Sequence, residues 1–379
     1  MKNIKRLLVS AFLLMLIIAQ AGCDQESAAG NSVTEPVTGD NYFLDTICTI
    51  SVYAIKDSNG NEVQAMDAEE AAEAAIDEAF DLCAELDKIL SRTRAESDIG
   101  RVNSAGGEWT EVSDYTIDLV KSGIEYSELS DGQFDITIGG VTEQWDFHAD
   151  PEDATLPDAD ELAEAVKHVD YNNIEIDGNK LRLKDPETKI DLGGIAKGYV
   201  GDRMTESLEA AGVTSGIINL GGNVICIGGK YTGNDEEGVT DFVVGVEAPF
   251  SDRTEIVGKV NVRDKTLVTS GVYERKIEVD GKLYHHILST ETGWSADTDL
   301  DAVTLVGDKG KSMDLDALST ICLIKGSKAA KQLIEETDGV EAVFLLNDGT
   351  TDQTSGMEFE AENNAKEDRA LPEEEKQDG

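Results

Sequence analysis

The chain has 379 residues, with 32 lysines and arginines against 77 aspartates and glutamates, for a formal net charge of −45. So acidic a surface repels phosphate backbones and anionic headgroups, which excludes nucleic-acid binding and electrostatic docking to a membrane; any phosphate ligand must be held by local cations. Cys48, Cys83, Cys226 and Cys322 each sit in an apolar stretch without C-x-x-C spacing, so buried thiols are expected rather than a disulfide framework or a zinc site.

In chain order, Lys2, Lys5 and Arg6 precede an apolar run from Leu7 to Ala19 and then Gln20-Ala21-Gly22-Cys23. This is the layout of a secretory signal peptide over residues 1–22. The run is shorter than the roughly 20 residues a spanning helix needs. Small residues before a cysteine are similar to a bacterial lipobox, with Gln20 where leucine is usual. They predict lipidation of Cys23 and a place on the extracytoplasmic face of the cell membrane. Ordinary cleavage that leaves a spare thiol is the alternative. Residues 23–40, rich in Ser, Gly, Thr and Asn, read as a flexible tether. Residues 355–379, dominated by charge, read as a disordered acidic tail. The intervening residues 41–354 suffice for one large domain or two intimately packed halves.

Asn41 to Ala54 alternates apolar and polar residues and predicts an opening strand. From Met66 to Leu90, Ala72, Ala75, Ile76, Ala79, Phe80, Cys83, Leu86 and Leu90 recur at helical spacing. Further helices are expected at Tyr115–Leu129, Ala159–Val166, Ile195–Ala211, Met313–Ile324 and Lys328–Glu335. Ile174-Glu175-Ile176 and Leu181-Arg182-Leu183 flank a hairpin turn. Strands are expected at 216–220, 224–227, 242–247, 276–279, 284–288, 303–306 and 342–346. Strand pairs joined by tight turns, with helices interspersed irregularly, point to an α+β fold.

Four segments carry candidate chemistry. Ile190-Asp191-Leu192-Gly193-Gly194-Ile195-Ala196-Lys197 runs from a strand through a glycine turn into a helix with an early lysine, a layout suited to phosphate. A purely structural strand-to-helix turn explains it equally. In Asp314-Leu315-Asp316-Ala317-Leu318-Ser319-Thr320, Asp316 and Thr320 share one helical face and suit Mg²⁺, a hard cation that takes few protein oxygens. Helix capping by Asp314 or Asp316 is the alternative. His285 and His286, two of only four histidines, close a strand and point to opposite sides, so at most one enters a given site. Asp131-Gly132-Gln133-Phe134-Asp135 could grip a heterocycle or simply bond within its own turn.

In this order the segments resemble the ApbE family, the FAD:protein FMN transferases. The resemblance runs over roughly Asn41 to Asp348 and includes Asn219-Leu220-Gly221-Gly222, Thr269-Ser270-Gly271, His286 with Thr292-Gly293, and Asp316 with Thr320. It implies an ApbE-like, T-fold-related α+β fold of mixed and antiparallel sheets with packed helices in a single large catalytic domain. By the same resemblance, Asp316, Thr320 and the main-chain carbonyl of Gly194 bind Mg²⁺. Asp191, Lys197, Gln133, Phe134 and Asp135 contact FAD, Leu44, Thr93 and Ile287 line the flavin pocket, and His286 matches a histidine suspected of acid-base work. Three positions depart from the family pattern: Leu44-Asp45-Thr46 stands for Met-Gly-Thr, Thr93 for an aromatic, and Ser289-Thr290-Glu291-Thr292 for Asp-Pro-x-Thr. The implied reaction moves FMN from FAD to a Thr or Ser hydroxyl of extracytoplasmic electron-transfer flavoprotein subunits and releases AMP. His286 or Asp316 takes the hydroxyl proton. An Mg²⁺-dependent FAD pyrophosphatase or a non-catalytic FAD-binding lipoprotein would use the same ligand.

Overall fold

The computed structural model describes residues 35–232, 238–251 and 255–362. The signal peptide, Cys23 and most of the expected tether lie outside the described residues.

The core is a nine-stranded sheet in which every pairing is antiparallel. Eight strands cross it in chain order: β1 (Val37–Phe43), β2 (Thr46–Lys56), β3 (Val213–Leu220), β4 (Asn223–Ile227), β5 (Lys265–Gly271), β6 (Leu300–Asp308), β7 (Glu341–Leu346) and β8 (Thr351–Gln353). The short strand Glu62–Gln64 folds back on β2. Such an order needs only hairpins and helical excursions, the shortest connections available to sequential strands.

Helices α1 (Glu69–Leu90), α2 (Asp98–Ser104), α3 (Asp114–Leu129) and α4 (Ala159–Val166) lie in the long excursion between β2 and β3. Helix α5 (Ala196–Ala210) leads into β3, while α6 (Ser312–Lys325) and α7 (Ser327–Glu335) join β6 to β7. Helix α1 buries the eight apolar residues its periodicity marks out. The sheet is covered on both faces, and the alternation of side chains along β6 shows how. Val303 and Leu305 join the core formed with α6, whereas Ala302 and Val306 join that of the small sheet Phe242–Glu247, Ile256–Val262 and Glu360–Ala361. The four cysteines of the described residues are buried and free, as expected.

The α+β fold and the helix positions agree with the sequence reading, but several bounds do not. The expected opening strand is a hairpin: Phe43 pairs with Thr46, and Leu44 and Asp45 form a two-residue turn with φ of +53° and +58°. Turns with two positive φ values normally announce themselves by Asn or Gly, and Leu-Asp does not. Strand β1 also begins at Val37, inside the expected tether, because Val37 is buried and its strand edges β2. At the other end, the expected tail stays with the fold to Glu362: Met357 is buried and Glu360–Ala361 pair with Gly258–Lys259. The strand expected at 284–288 is Lys282–His285, so Ile287 lies beyond it. Asp348 to Thr351 make a tight turn between β7 and β8, with Asp348 accepting from the Thr350 amide and hydroxyl.

Candidate active site

The site forms where the N-terminal halves of α5 and α6 meet. Their backbones approach so closely that a Cβ on Gly198 would lie 2.2 Å from the Ser312 carbonyl oxygen, which only glycine permits. The contact lets α5 cap α6: the Asp202 carboxylate accepts from the amides of Ser312 and Met313, both at 3.0 Å. Burial pushes Asp202 up to about 6, against the pull of those two donors. Because the cap comes from Asp202, Asp316 has no capping duty and sits a full turn further into α6.

Asp316 is 2% exposed. Its Oδ2 accepts from the Gly198 amide at 2.9 Å. Burial raises its pKa; the Lys197 ammonium, the amides of Gly198 and Lys197 and the Asn223 side chain oppose that rise and favour the ionised form. Thr320 lies one turn on, its hydroxyl reaching only weakly, at 3.4 Å, for the Asp316 main-chain carbonyl. A Cβ on Gly194 would lie 3.5 Å from Thr320 Oγ1 and 2.9 Å from the Phe134 ring. The glycine turn, the Thr320 hydroxyl and Phe134 therefore converge beside the Asp316 helix. Among the described residues no group of three or more His, Cys, Asp or Glu side chains could hold a metal. A cation here would draw on one carboxylate, a hydroxyl and a carbonyl, the sparse oxygen shell that Mg²⁺ completes with water and phosphate.

Lys197 projects toward Glu274, with Nζ to Oε2 at 3.9 Å, too long to neutralise it fully. Burial raises the Glu274 pKa, Lys197 opposes and Asp316 reinforces the rise, and the Gly271 amide donates to Oε1 at 3.2 Å. His286 faces the same charges. Burial pushes its pKa down to about 3, helped by Arg275 and Lys197. Its Nδ1 lies 3.2 Å from the Arg275 carbonyl oxygen. A carbonyl can only accept, so Nδ1 carries the proton and Nε2 is left as a free base. His285 takes the other direction. It is buried, its pKa is lowered chiefly by burial, and its amide donates to Ser295 Oγ at 2.8 Å.

The expected flavin contacts are brought together only in part. Asp191 accepts from the Gly193 amide at 2.9 Å and pairs with Arg92 at 3.0 Å, which ties the glycine turn to the loop carrying exposed Thr93. Gln133 accepts from Lys325 at 2.9 Å, and Thr290 donates to the Gly132 carbonyl at 2.8 Å. Leu44 is half-buried at the hairpin turn, donating to Asp87 at 3.3 Å, and the neighbouring Asp45 pairs with Arg275 at 3.4 Å. Two more of the expected flavin residues have partners within the fold. The Asp135 carboxylate accepts from the Thr137 amide, the Thr137 hydroxyl and the Tyr171 amide, and so closes its own loop. The Ile287 side chain is buried in the core shared with Leu315 and Leu318. Arg92, Asn223 and Glu274 were not singled out by sequence: each gains its meaning from a partner far along the chain.

The ApbE family model matches residues 44–344. The chain belongs to the ApbE family. It is 30% identical over 346 residues to the FAD:protein FMN transferase of Treponema pallidum, covering 88% of this chain and 91% of that protein. It is also 30% identical over 278 residues to a FAD:protein FMN transferase of Klebsiella pneumoniae, covering 72% and 82%. Among solved ApbE structures, the protein of Thermotoga maritima superposes with a TM-score of 0.73 at 28% identity, covering 85% of this chain and 97% of that one. The Pseudomonas stutzeri flavinyl transferase ApbE gives 0.69 at 27% identity, with coverages of 85% and 95%.

Proposed function

We propose that this ApbE-family chain is an Mg²⁺-dependent FAD:protein FMN transferase that joins FMN through a phosphoester bond to a Thr or Ser of extracytoplasmic electron-transfer flavoproteins. The observation that carries the reading is the convergence of Asp316, Thr320, the Gly194 turn, Lys197 and a neutral His286 at the junction of α5 and α6. FAD is the substrate. Asp316 and Thr320 through side chains, and Gly194 through its carbonyl, would hold Mg²⁺, which supplies charge neutralisation to the pyrophosphate. Lys197, only loosely paired, is available to a phosphate in an otherwise acidic protein.

The acceptor hydroxyl oxygen bonds to the FMN-side phosphorus as that phosphorus releases the bridging oxygen, which leaves with AMP. The hydroxyl proton goes to His286 Nε2. The geometry favours His286 over Asp316 as the base, because Asp316 already accepts a main-chain amide. A pKa near 3 describes the site without substrate. The anionic pyrophosphate beside the ring opposes Lys197 and Arg275 and raises the pKa toward the working range.

The test is to incubate the protein with FAD, Mg²⁺ and an FMN-binding acceptor domain. The expected result is an acceptor mass gain of FMN minus water together with AMP, both lost with EDTA and in Asp316→Ala. AMP and free FMN without labelling across several acceptors would support a pyrophosphatase instead; intact bound FAD would overturn both. The same proposal places the chain on the extracytoplasmic membrane face through lipid on Cys23. Metabolic labelling with a radioactive fatty acid, lost in Cys23→Ala, checks the anchor.

A further inference from the structure

Asn223 opens β4 directly after Gly221 and Gly222, whose φ values of +63° and +111° turn the chain out of β3. Alternation along the strand puts Asn223 on the face of Ile225. That face lies against the helices: a Cβ on Gly201 of α5 would meet Ile225 at 2.6 Å, and α6 packs on the same strand. The amide is thus directed into the seam that holds Asp316. It is 0% exposed, yet neither of its polar atoms closes a hydrogen bond within the protein. Its side chain lies toward the Asp316 carboxylate without closing a hydrogen bond of good geometry to it. A fully buried amide without partners is among the costlier features a fold can keep, and an apolar side chain of similar volume would remove the cost. Retaining it in the wall of a ligand site points to a ligand that completes it.

Resting on the cation site described above, we infer that Asn223 is a positioning residue for that site, its amide N–H orienting the Asp316 carboxylate while its carbonyl oxygen is held open for a hydrated divalent cation. The inference separates two properties that a structural residue would keep together, the stability of the metal-free protein and its response to metal. In Asn223→Leu the orphaned amide and its N–H toward Asp316 disappear together, and the two effects oppose, so the metal-free melting temperature stays within about 3 °C of the wild type. The stabilisation conferred by Mg²⁺ is then lost, or its half-saturating concentration rises at least about tenfold. In Asn223→Asp a second buried carboxylate faces Asp316, so the metal-free protein melts lower and Mg²⁺ restores more than it adds to the wild type.

The experiment is thermal unfolding of the whole protein, after chelation and over a titration of MgCl₂ alone, for wild type and both variants. A metal-free loss clearly larger in Asn223→Asp than in Asn223→Leu, with opposite changes in the Mg²⁺ response, supports the inference. Both variants melting lower with the wild-type Mg²⁺ increment intact would overturn it, and so make Asn223 a structural residue. No Mg²⁺ increment in the wild type would overturn the cation site itself, and with it this inference, so the two failures are distinguishable.

Discussion

At the scale of single residues, the site is a small set of charges whose states are set by burial and by a few fixed donors. His286 is the clearest case. Its folded pKa of about 3 lies below the ordinary histidine value near 6.5, so the native state binds fewer protons than the unfolded chain between those values. Its contribution to stability is therefore complete above about pH 6.5 and is lost as pH falls toward 3. Asp202, pushed up to about 6, works in the opposite sense: it favours the folded state at low pH, and that benefit fades as pH rises through 6. His286→Gln, which cannot titrate, should flatten the rise of stability between about pH 3 and 6.5 relative to wild type. Urea unfolding at several pH values reads this directly, and an unchanged slope would mean that the imidazole is not buried neutral. The histidine pair and Asp316 were legible in the sequence because scarce histidines and an Asp-x-x-x-Thr spacing stand out, while the resemblance to the ApbE family pointed to His286 of the two. Asn223 was not, because a single Asn after two glycines carries no mark of what lies opposite.

At the scale of elements, the decisive feature is the crossing of α5 and α6. Gly198→Ala would drive a methyl group into the Ser312 carbonyl, 2.2 Å from its ideal position, so the helices must part. Overpacking of this kind costs about 3 kcal/mol. Because the Gly198 amide also holds Asp316, transferase activity should fall at least about tenfold alongside the melting temperature; wild-type activity in a folded Gly198→Ala would contradict the placement of the site. Asp202→Ala acts from the other side of the same contact. It strips the α6 cap and leaves the Ser312 and Met313 amides without their acceptor, a loss of about 2 kcal/mol measurable by denaturant unfolding. The sequence pattern located both helices to within a residue or two at most bounds, since their apolar spacing is regular. It read Asp314 or Asp316 as the alternative cap, since no local pattern reveals that a cap comes from a different helix 110 residues earlier in the chain.

At the scale of the whole molecule, the chain's two expected loose ends prove to be partly built into the fold. A chain ended at Thr354 would lose the buried Met357, the pairing of Glu360–Ala361 with Gly258–Lys259, and the bond from the Glu362 amide to Val257. Against a chain ended at Glu362, it should be less stable by about 2–3 kcal/mol, mostly from the exposed methionine and the apolar sheet face it covers. Equal melting of the two would show that this edge contributes nothing. Among the described residues no helix is long and apolar enough to cross a membrane.

The sequence by itself determined the periodic parts of this protein: the buried face of α1, the positions of α3 to α7, the antiparallel strand pairs, and the α+β class. It also determined the family, because ordered motifs survive as linear patterns. Only the tertiary structure decided which of those motif residues meet. The Asp135 carboxylate turned inward to its own loop, Ile287 into the core, and Asp202 into a cap, while Asn223, Glu274 and Arg92 came to the site unannounced. The physical reason is that periodicity reports one element's exposure to solvent, whereas partners are chosen by contacts between elements far apart in the chain. The hairpin turn at Leu44 and Asp45 shows the same limit locally: its positive φ values are imposed by the strands it joins, against the preference of its own residues.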